Sequence, residues 1–394
     1  MPRYNGGFIG TDGLDAPDPP TAVTPTAGNE QVSVAFTAPT DTGTSAITGF
    51  VAQVASSGDD YSAGSNTGTS SPIVVSSLSN GTSYTAKVWA INAYGTSAPS
   101  EASSSVSPFA PRGIFAGGGS GLTNIEYLSF AATGTTSDFG DITAARTQNA
   151  NGVISSQTRG LFVAGGKSGV ARTTDIDYIT IASTGNAQDF GDASQATKQQ
   201  GGASNSITGI AAGGNAGSQE SRGEYITIAT TGNAVNTNGL TAARDQLAGC
   251  SNGTRAIFAG GSTGSLVNII DFLLFASSGD GTDFGDLTSA RETLGGASNS
   301  TRGLFAGGNN SNIIDYITMA STGNATDFGD LTVSGYGTTG TASSTIALFG
   351  GSSNTPSTRI DSVTIASTGN ATDYGDLGFD GYYSGACSNA HGGL

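Results

Sequence analysis

Polar and apolar residues alternate along this chain in short runs, and no long stretch places its apolar residues at the three-to-four spacing of a helix. In "QVSVAFTAP", Val32, Val34 and Phe36 fall on one face, the period of a half-buried strand. "ITGFVAQVA", "SPIVVSSL" and "NGTSYTAKVWAINAYGTSAPS" are further strand-length pieces separated by turn residues. In "IDYITIAS" (176–183), Ile176 and Tyr178 face one way and Ile179 and Ile181 the other. A strand apolar on both faces has to be covered from two sides. The pattern predicts an all-β protein.

The doubly apolar strands belong to a repeated phrase. "IDYITMASTGNATDFGDL" (314–331) and "IDSVTIASTGNATDYGDL" (360–377) are identical at 14 of 18 positions. Gly pairs precede each copy at Gly117-Gly118, Gly165-Gly166, Gly213-Gly214, Gly260-Gly261, Gly307-Gly308 and Gly350-Gly351, at intervals of 43 to 48 residues. After each strand comes a turn, four times written "TGN" (184–186, 231–233, 322–324, 368–370), where Gly and Asn suit positive φ. "DFGDL", "LTAAR" or "LTSAR", and "GGASNS" follow, with variations. Six copies at this period predict one four-stranded propeller blade per copy, each covering its neighbour's apolar face. "SGACSNAHGGL" (384–394) aligns with "GGASNSTRGLF" (295–305), so it is expected to supply the strand missing before "RGIFAGG" (112–118). Closure by the two ends of the repeat array leaves no free edge. The order Gly260, Gly261, Phe272, Phe284, Arg291 resembles kelch repeats, although their usual Trp is absent and the third copy reads "NTNGL" (236–240) in place of "DFGDL". The expected architecture over 109–394 is a six-bladed kelch-like β-propeller.

Upstream, "DAPDPPTAVT" (15–24) is a Pro-rich boundary that cannot be helical. Between it and the repeats, Leu78, Asn80, Gly81, Thr82, Tyr84, Ala86, Val88, Ala90, Asn92, Gly95, Ser97, Pro99 and Ser100 carry a pattern that resembles a fibronectin type III domain. The resemblance implies a β-sandwich over 18–108, with Tyr84 as its tyrosine-corner residue. Phe36 stands where that family usually has Trp. Residues 1–17 remain as an arm whose large apolar groups are Tyr4, Phe8 and Ile9.

Charge narrows the partners. The net charge is −16 with only 11% charged residues, and no basic stripe exists to follow a phosphate backbone, so nucleic acid is not an expected partner. Two Cys and one His are too few for a disulfide framework or a Cys/His metal site. No apolar stretch approaches the roughly 20 residues of a membrane-spanning helix, and "MPRYNGGFIG" lacks the apolar core of a secretory signal. Membrane insertion is not expected, and synthesis in a cytoplasm is.

Candidate chemistry is sparse. The pairs Asp138/Asp141, Asp189/Asp192, Asp283/Asp286, Asp327/Asp330 and Asp373/Asp376 read as turn carboxylates accepting backbone N–H bonds. His391 has no nucleophile motif beside it. Cys250 and Cys387 occupy one repeat position and read as core or channel-lining thiols that do not bridge. No catalytic residue, metal site or cofactor is expected. Tyr336, Tyr382 and Tyr383 lie where the copies diverge ("VSGYGTTG", "GFDGYYSG"), either as ligand contacts or as fillers of the inner strands.

"RYNGGFIG", the fibronectin-like stretch and copies such as "DYITMASTGNATDFGDLT" (315–332) together resemble a family of phage virion proteins, especially of marine and cyanobacterial phages. The resemblance implies a virion component, made in the host cytoplasm: a tail fibre, an appendage or a decoration. The leading expectation is a non-enzymatic surface protein that presents its propeller to a host glycan or protein. Its arm would dock on other virion proteins through Tyr4, Phe8 and Ile9. A purely architectural component and a propeller glycan hydrolase or lyase are the alternatives.

Overall fold

A computed structural model describes residues 15–119, 121–147, 152–167, 169–237, 239–277 and 279–394. Tyr4, Phe8 and Ile9 lie outside the described residues. The chain divides into two compact units, Met1–Ala110 and Pro111–Leu394. Among the described residues every regular element is a strand, and no helix occurs.

The first unit has two sheets. One joins Thr21–Gly28, Gln31–Thr37 and Ile73–Ser76; the other orders Gly64–Gly68, Ile47–Ala55, Thr85–Asn92 and Gly95–Thr96. Val32, Val34 and Phe36 point into a core shared with Phe50, Val75 and Val88. The Phe36 ring sits 4.8 Å from that of Phe50. Ser79 N–H donates to the Tyr84 hydroxyl at 3.1 Å, which fixes the corner before Thr85–Asn92. The segment 97–103 is not a strand, yet Ser97, Ser100 and Ser103 Oγ accept the N–H groups of Ala90, Val88 and Ala86 at 2.9, 3.0 and 2.9 Å. That serine comb occupies backbone donors a bare edge would leave open. Asp15 belongs to this unit and not to the arm, since Asn92 Nδ2 donates to its carbonyl at 2.9 Å.

The second unit holds six four-stranded antiparallel sheets. Each begins with a short lead strand: Val153–Ser155, Gly201–Ser204, Ala248–Ser251, Gly295–Ser298 and Thr339–Ala342 for the second to sixth sheets. The first sheet, Arg112–Ala116, Leu122–Ser129 and Ser137–Arg146, takes its lead strand from the other end of the unit. Gly385–Ser388 pairs with Arg112–Ala116, in the register Cys387 to Ile114. Consecutive lead strands pack on one another, and Gly385–Ser388 packs on Val153–Ser155. Buried side chains fill the space between neighbouring sheets, so each pair faces the other as the two layers of a sandwich do.

The repeated phrase is explained by what crosses from sheet to sheet. The Asn of "TGN" does not adopt positive φ. Asn186, Asn233, Asn324 and Asn370 instead accept the N–H of Asp141, Asp192, Asp286 and Asp330 in the preceding sheet, each at 3.0 or 3.1 Å. "DFGD" is not a turn either. It lies in the last strand of the sheet, where Asp189 and Asp283 pair with Asp177 and Asp271, and the register shifts beside Gly191 and Gly285. Its aromatic residue stacks edge-on against the strand before it, as Phe190 does on Tyr178 at 5.8 Å. The Arg of "RGLF" strands also ties sheets together: Arg302 lies 4.8 Å over the Tyr316 ring and donates to Ile365 O of the next sheet at 2.9 Å.

The carboxylates that matter most are the ones inside "IDY". Asp177, Asp271, Asp315 and Asp361 are all buried, as are Glu126 and Glu224 at the same position. The Thr of "LT" in the preceding sheet reaches across to them: Thr143 to Asp177, Thr241 to Asp271 and Thr332 to Asp361 at 2.7 Å, Thr288 to Asp315 at 2.6 Å. Where "LTAAR" or "LTSAR" keeps its Arg, a buried ion pair forms: Arg146–Asp177 at 2.8 Å, Arg244–Asp271 and Arg291–Asp315 at 2.6 Å. The third and sixth sheets lack an Arg from the sheet before and use Arg222, just ahead of the acid's strand, and Arg359, on it.

Volume is matched across the same boundaries. The next-to-last residue of each lead strand meets the second residue of the next sheet's "RGLF"-type strand. Ile154 faces Gly209, Cys250 faces Gly303, Thr341 faces Gly113 and Cys387 faces Gly160. Where the lead residue is only Ala203 or Ala297, the facing residue is Ala256 or Ala347. Lead strands also run so close that a Cβ on Gly296 would lie 2.3 Å from Gly249 O, which is why "GGASNS" has glycine there.

Candidate ligand-binding site

The lead strands start at one end and finish at the other, and the two ends differ. At the starting end, the residue two places before the lead strand donates its N–H, in four of the sheets, to the carbonyl of its counterpart in the previous sheet. Gln246 donates to Gln199 at 2.8 Å, Thr293 to Gln246 at 2.8 Å, Gly337 to Thr293 at 3.1 Å and Tyr383 to Gly337 at 2.8 Å. Gln199, Gln246, Thr293 and Tyr383 all take φ between 57° and 60° there, a conformation that is costly for a β-branched residue such as Thr293. The linked bonds hold it.

This series gathers the three tyrosines. Tyr383 has its ring 6.0 Å from Tyr336 and 5.8 Å from Tyr382. None of them lies in a strand. Tyr336 is 38% exposed and the other two are half-buried, so they are not core fillers of the lead strands. Burial, then Tyr336, Glu292 and Tyr382, push the Tyr383 hydroxyl up to about 12. Glu292 joins the cluster from the adjoining turn, with Gln246 Nε2 donating to its carboxylate at 3.3 Å. Burial first, and the nearby Asp245 second, raise the Glu292 carboxyl above its usual value. Asp245 is buried, accepts Asn215 Nδ2 at 2.9 Å through Oδ2, and has no partner for Oδ1. The site therefore offers aromatic faces, amides and two carboxyl groups. Sequence reasoning finds the tyrosines by their divergence from the other copies. It misses Glu292 and Asp245, which stand in the aligned position of Tyr336 and Tyr382 and look like ordinary surface charges.

The finishing end is filled. A cavity of about 50 Å³ is lined by residues of all six lead strands and by His391. Ser155, Ser204, Ser251, Ser298 and Ser388 close its rim through bonds such as Ser251 Oγ to Ser204 O and Ser298 Oγ to Ser251 O, both 2.7 Å. Residues 389–394 cross that rim: Gly392 N–H donates to Ser298 O at 2.9 Å, and His391 Nε2 lies 3.4 Å from both Ser204 Oγ and Ser155 O. Burial lowers the His391 imidazole to about 4, against a bond to Ser155 that raises it. Cys250 and Cys387 line the same cavity, both free and buried. Burial raises both thiols, Cys387 to about 12. Protonated thiols enclosed in separate inter-sheet packings are inert. Air-oxidised chain, unfolded and digested, is expected to show no Cys250–Cys387 linked peptide by mass spectrometry. Among the described residues no group of three or more His, Cys, Asp or Glu could hold a metal.

Comparison with known proteins identifies one of the two units. Residues 15–106 match the fibronectin type III domain model. The first unit is a fibronectin type III domain. The match begins at Asp15, in keeping with the bond from Asn92 to the Asp15 carbonyl. A crystal structure of consecutive titin domains matches at 27% identity over 24% of this chain and 33% of that one, with a TM-score of 0.23. The chain thus spans about a third of that structure's length. No curated protein matches the chain. Tyr336, Tyr382, Tyr383, Glu292 and Asp245 all lie outside the fibronectin type III domain, in the second unit.

Proposed function

We propose that residues 111–394 form a closed six-bladed, kelch-like β-propeller, and that the protein is a non-enzymatic component of a phage particle which binds a host glycan or protein. Support for the ring comes from the Gly385–Ser388 strand, which completes the first sheet and also packs on the lead strand of the second. The observation that carries the binding role is the tyrosine cluster beside Glu292, at the end of the lead strands that residues 389–394 leave uncovered. Aromatic faces with adjacent amides and carboxylates suit both sugar rings and protein side chains. The arm carrying Tyr4, Phe8 and Ile9 would dock the chain on other virion proteins, its ordering cost offset by the surface it wraps.

A glycan hydrolase is a second reading, favoured by one observation. Glu292, with its raised carboxyl beside Asp245, is the kind of group that serves as a general acid. One experiment separates the two. Purified chain is incubated with host envelope glycans, and binding and product are both measured. Binding without product supports attachment, product formation supports hydrolysis, and neither leaves the architectural role. In the binding case, Tyr336→Ala is expected to weaken binding at least tenfold with unchanged melting, because the ring is exposed. A lowered melting temperature with unchanged binding would make Tyr336 structural.

A further inference from the structure

Residues 389–394 do not merely end the last lead strand; they lie across the finishing end of the cavity in a fit too close for side chains. A Cβ on Gly393 would stand 1.8 Å from Ser204 O, and one on Gly392 would stand 2.2 Å from the Asn299 carbonyl carbon. His391 is the large side chain held inside this cover. Gly393 N–H donates to His391 Nδ1 at 3.1 Å, which requires that nitrogen to be unprotonated. Nε2 has only the two 3.4 Å contacts with Ser204 and Ser155. The other titratable residues lining the cavity are Cys250 and Cys387, both neutral thiols whose Sγ atoms pack toward Gly303 and Gly160, and no Asp, Glu, Lys or Arg lines it. A second proton on the ring would break the Gly393 bond and place a charge in a buried site with no counter-ion among the residues that line it.

We propose that residues 389–394 are an acid-released strap, with His391 as its trigger, whose departure opens the serine-rimmed end of the cavity. The sign follows from the direction of the shift. The folded site holds neutral His391, with a value near 4 against 6.5 for a free imidazole. The released strap therefore binds more protons than the seated one between those limits. Seating is fully favoured above pH 6.5 and is lost progressively as pH falls toward 4. Integrated from pH 7 to pH 4, the ratio of released to seated strap rises about 100-fold.

The test uses the full chain and follows hydrogen–deuterium exchange of the Gly392 and Gly393 amides, which the seated strap bonds to Ser298 O and His391 Nδ1. Their protection, corrected for the intrinsic pH dependence of amide exchange, is expected to fall by about 100-fold between pH 7 and pH 4, with the protection of the lead-strand amides retained. His391→Gln should abolish most of that fall. Should H391Q fold poorly at pH 7, His391→Asn, which keeps an acceptor near the Nδ1 position for Gly393 N–H, takes its place. A wild-type protection independent of pH overturns the proposal. So does an equal fall in the variant, or loss of lead-strand protection at the same pH in both chains.

Discussion

Arg244→Ala is expected to destabilise the second unit by about 3–5 kcal/mol, because it strands Asp271 as a buried charge without its partner. Arg244 and Asp271 are both fully buried, 2.6 Å apart, and the same guanidinium donates to Phe258 O at 3.1 Å. Replacing both residues by Met and Leu should cost much less than the single change, since the desolvation penalty disappears with the charges. Lys167→Ala is the contrast: its pair with Asp175 is about a third exposed and should contribute under about 1 kcal/mol. Denaturant unfolding followed by far-UV circular dichroism measures each change. The chain's single Trp, Trp89, lies in the first unit, so its fluorescence is an internal control that Arg244→Ala should leave unchanged. If Arg244→Ala and Lys167→Ala cost the same, the ion pair is not buried in solution.

Gly209→Ala should also be severe, at about 3 kcal/mol, from overpacking alone. The added methyl would stand 2.2 Å from Ile154 Cγ2, in a space whose walls are two neighbouring sheets. Ile154→Ala in the same chain should recover most of the loss, because it reproduces the Ala203–Ala256 and Ala297–Ala347 boundaries. Ile154→Ala alone leaves a void and should cost about 2–5 kcal/mol. The double-mutant cycle is therefore expected to show strong favourable coupling. Additive costs would mean that the sheets slide apart to accommodate volume and that the matched pairs have no role in fixing their spacing.

Strands and repeats are legible in the sequence because each is a local signal. Alternation in "QVSVAFT", apolar residues on both faces of "IDYITIAS", and the alignment of 384–394 with 295–305 lead to the observed strands and to the partner of Arg112–Ala116. The network between sheets is not local. Nothing in "IDF" (270–272) marks Asp271 as buried until Thr241 and Arg244, from the sheet before, are brought to it. The Asp residues of "DFGD" draw attention by repetition, yet they sit at a strand edge. "TGN" reads as a turn signal, and the same Asn acts as an acceptor for the sheet before it. Of the site, the tyrosines are visible as departures from the repeat, whereas Glu292 becomes part of it only through the backbone series from Gln199 to Tyr383.

The pairing of Gly385–Ser388 with Arg112–Ala116 has a consequence for how the protein is made. On a ribosome, about 270 residues must be added after Arg112–Ala116 emerges before its lead strand exists, which at about 5–20 residues per second takes roughly 15–50 s. Throughout that interval one margin of the first sheet stands open while five complete sheets assemble behind it. An open margin of Ile114, Phe115 and Ala116 is a template for any other nascent chain of the same sequence, whose own Gly385–Ser388 fits it equally well. Crowded synthesis should therefore yield exchanged dimers, and dilution of the message or a lower temperature should suppress them.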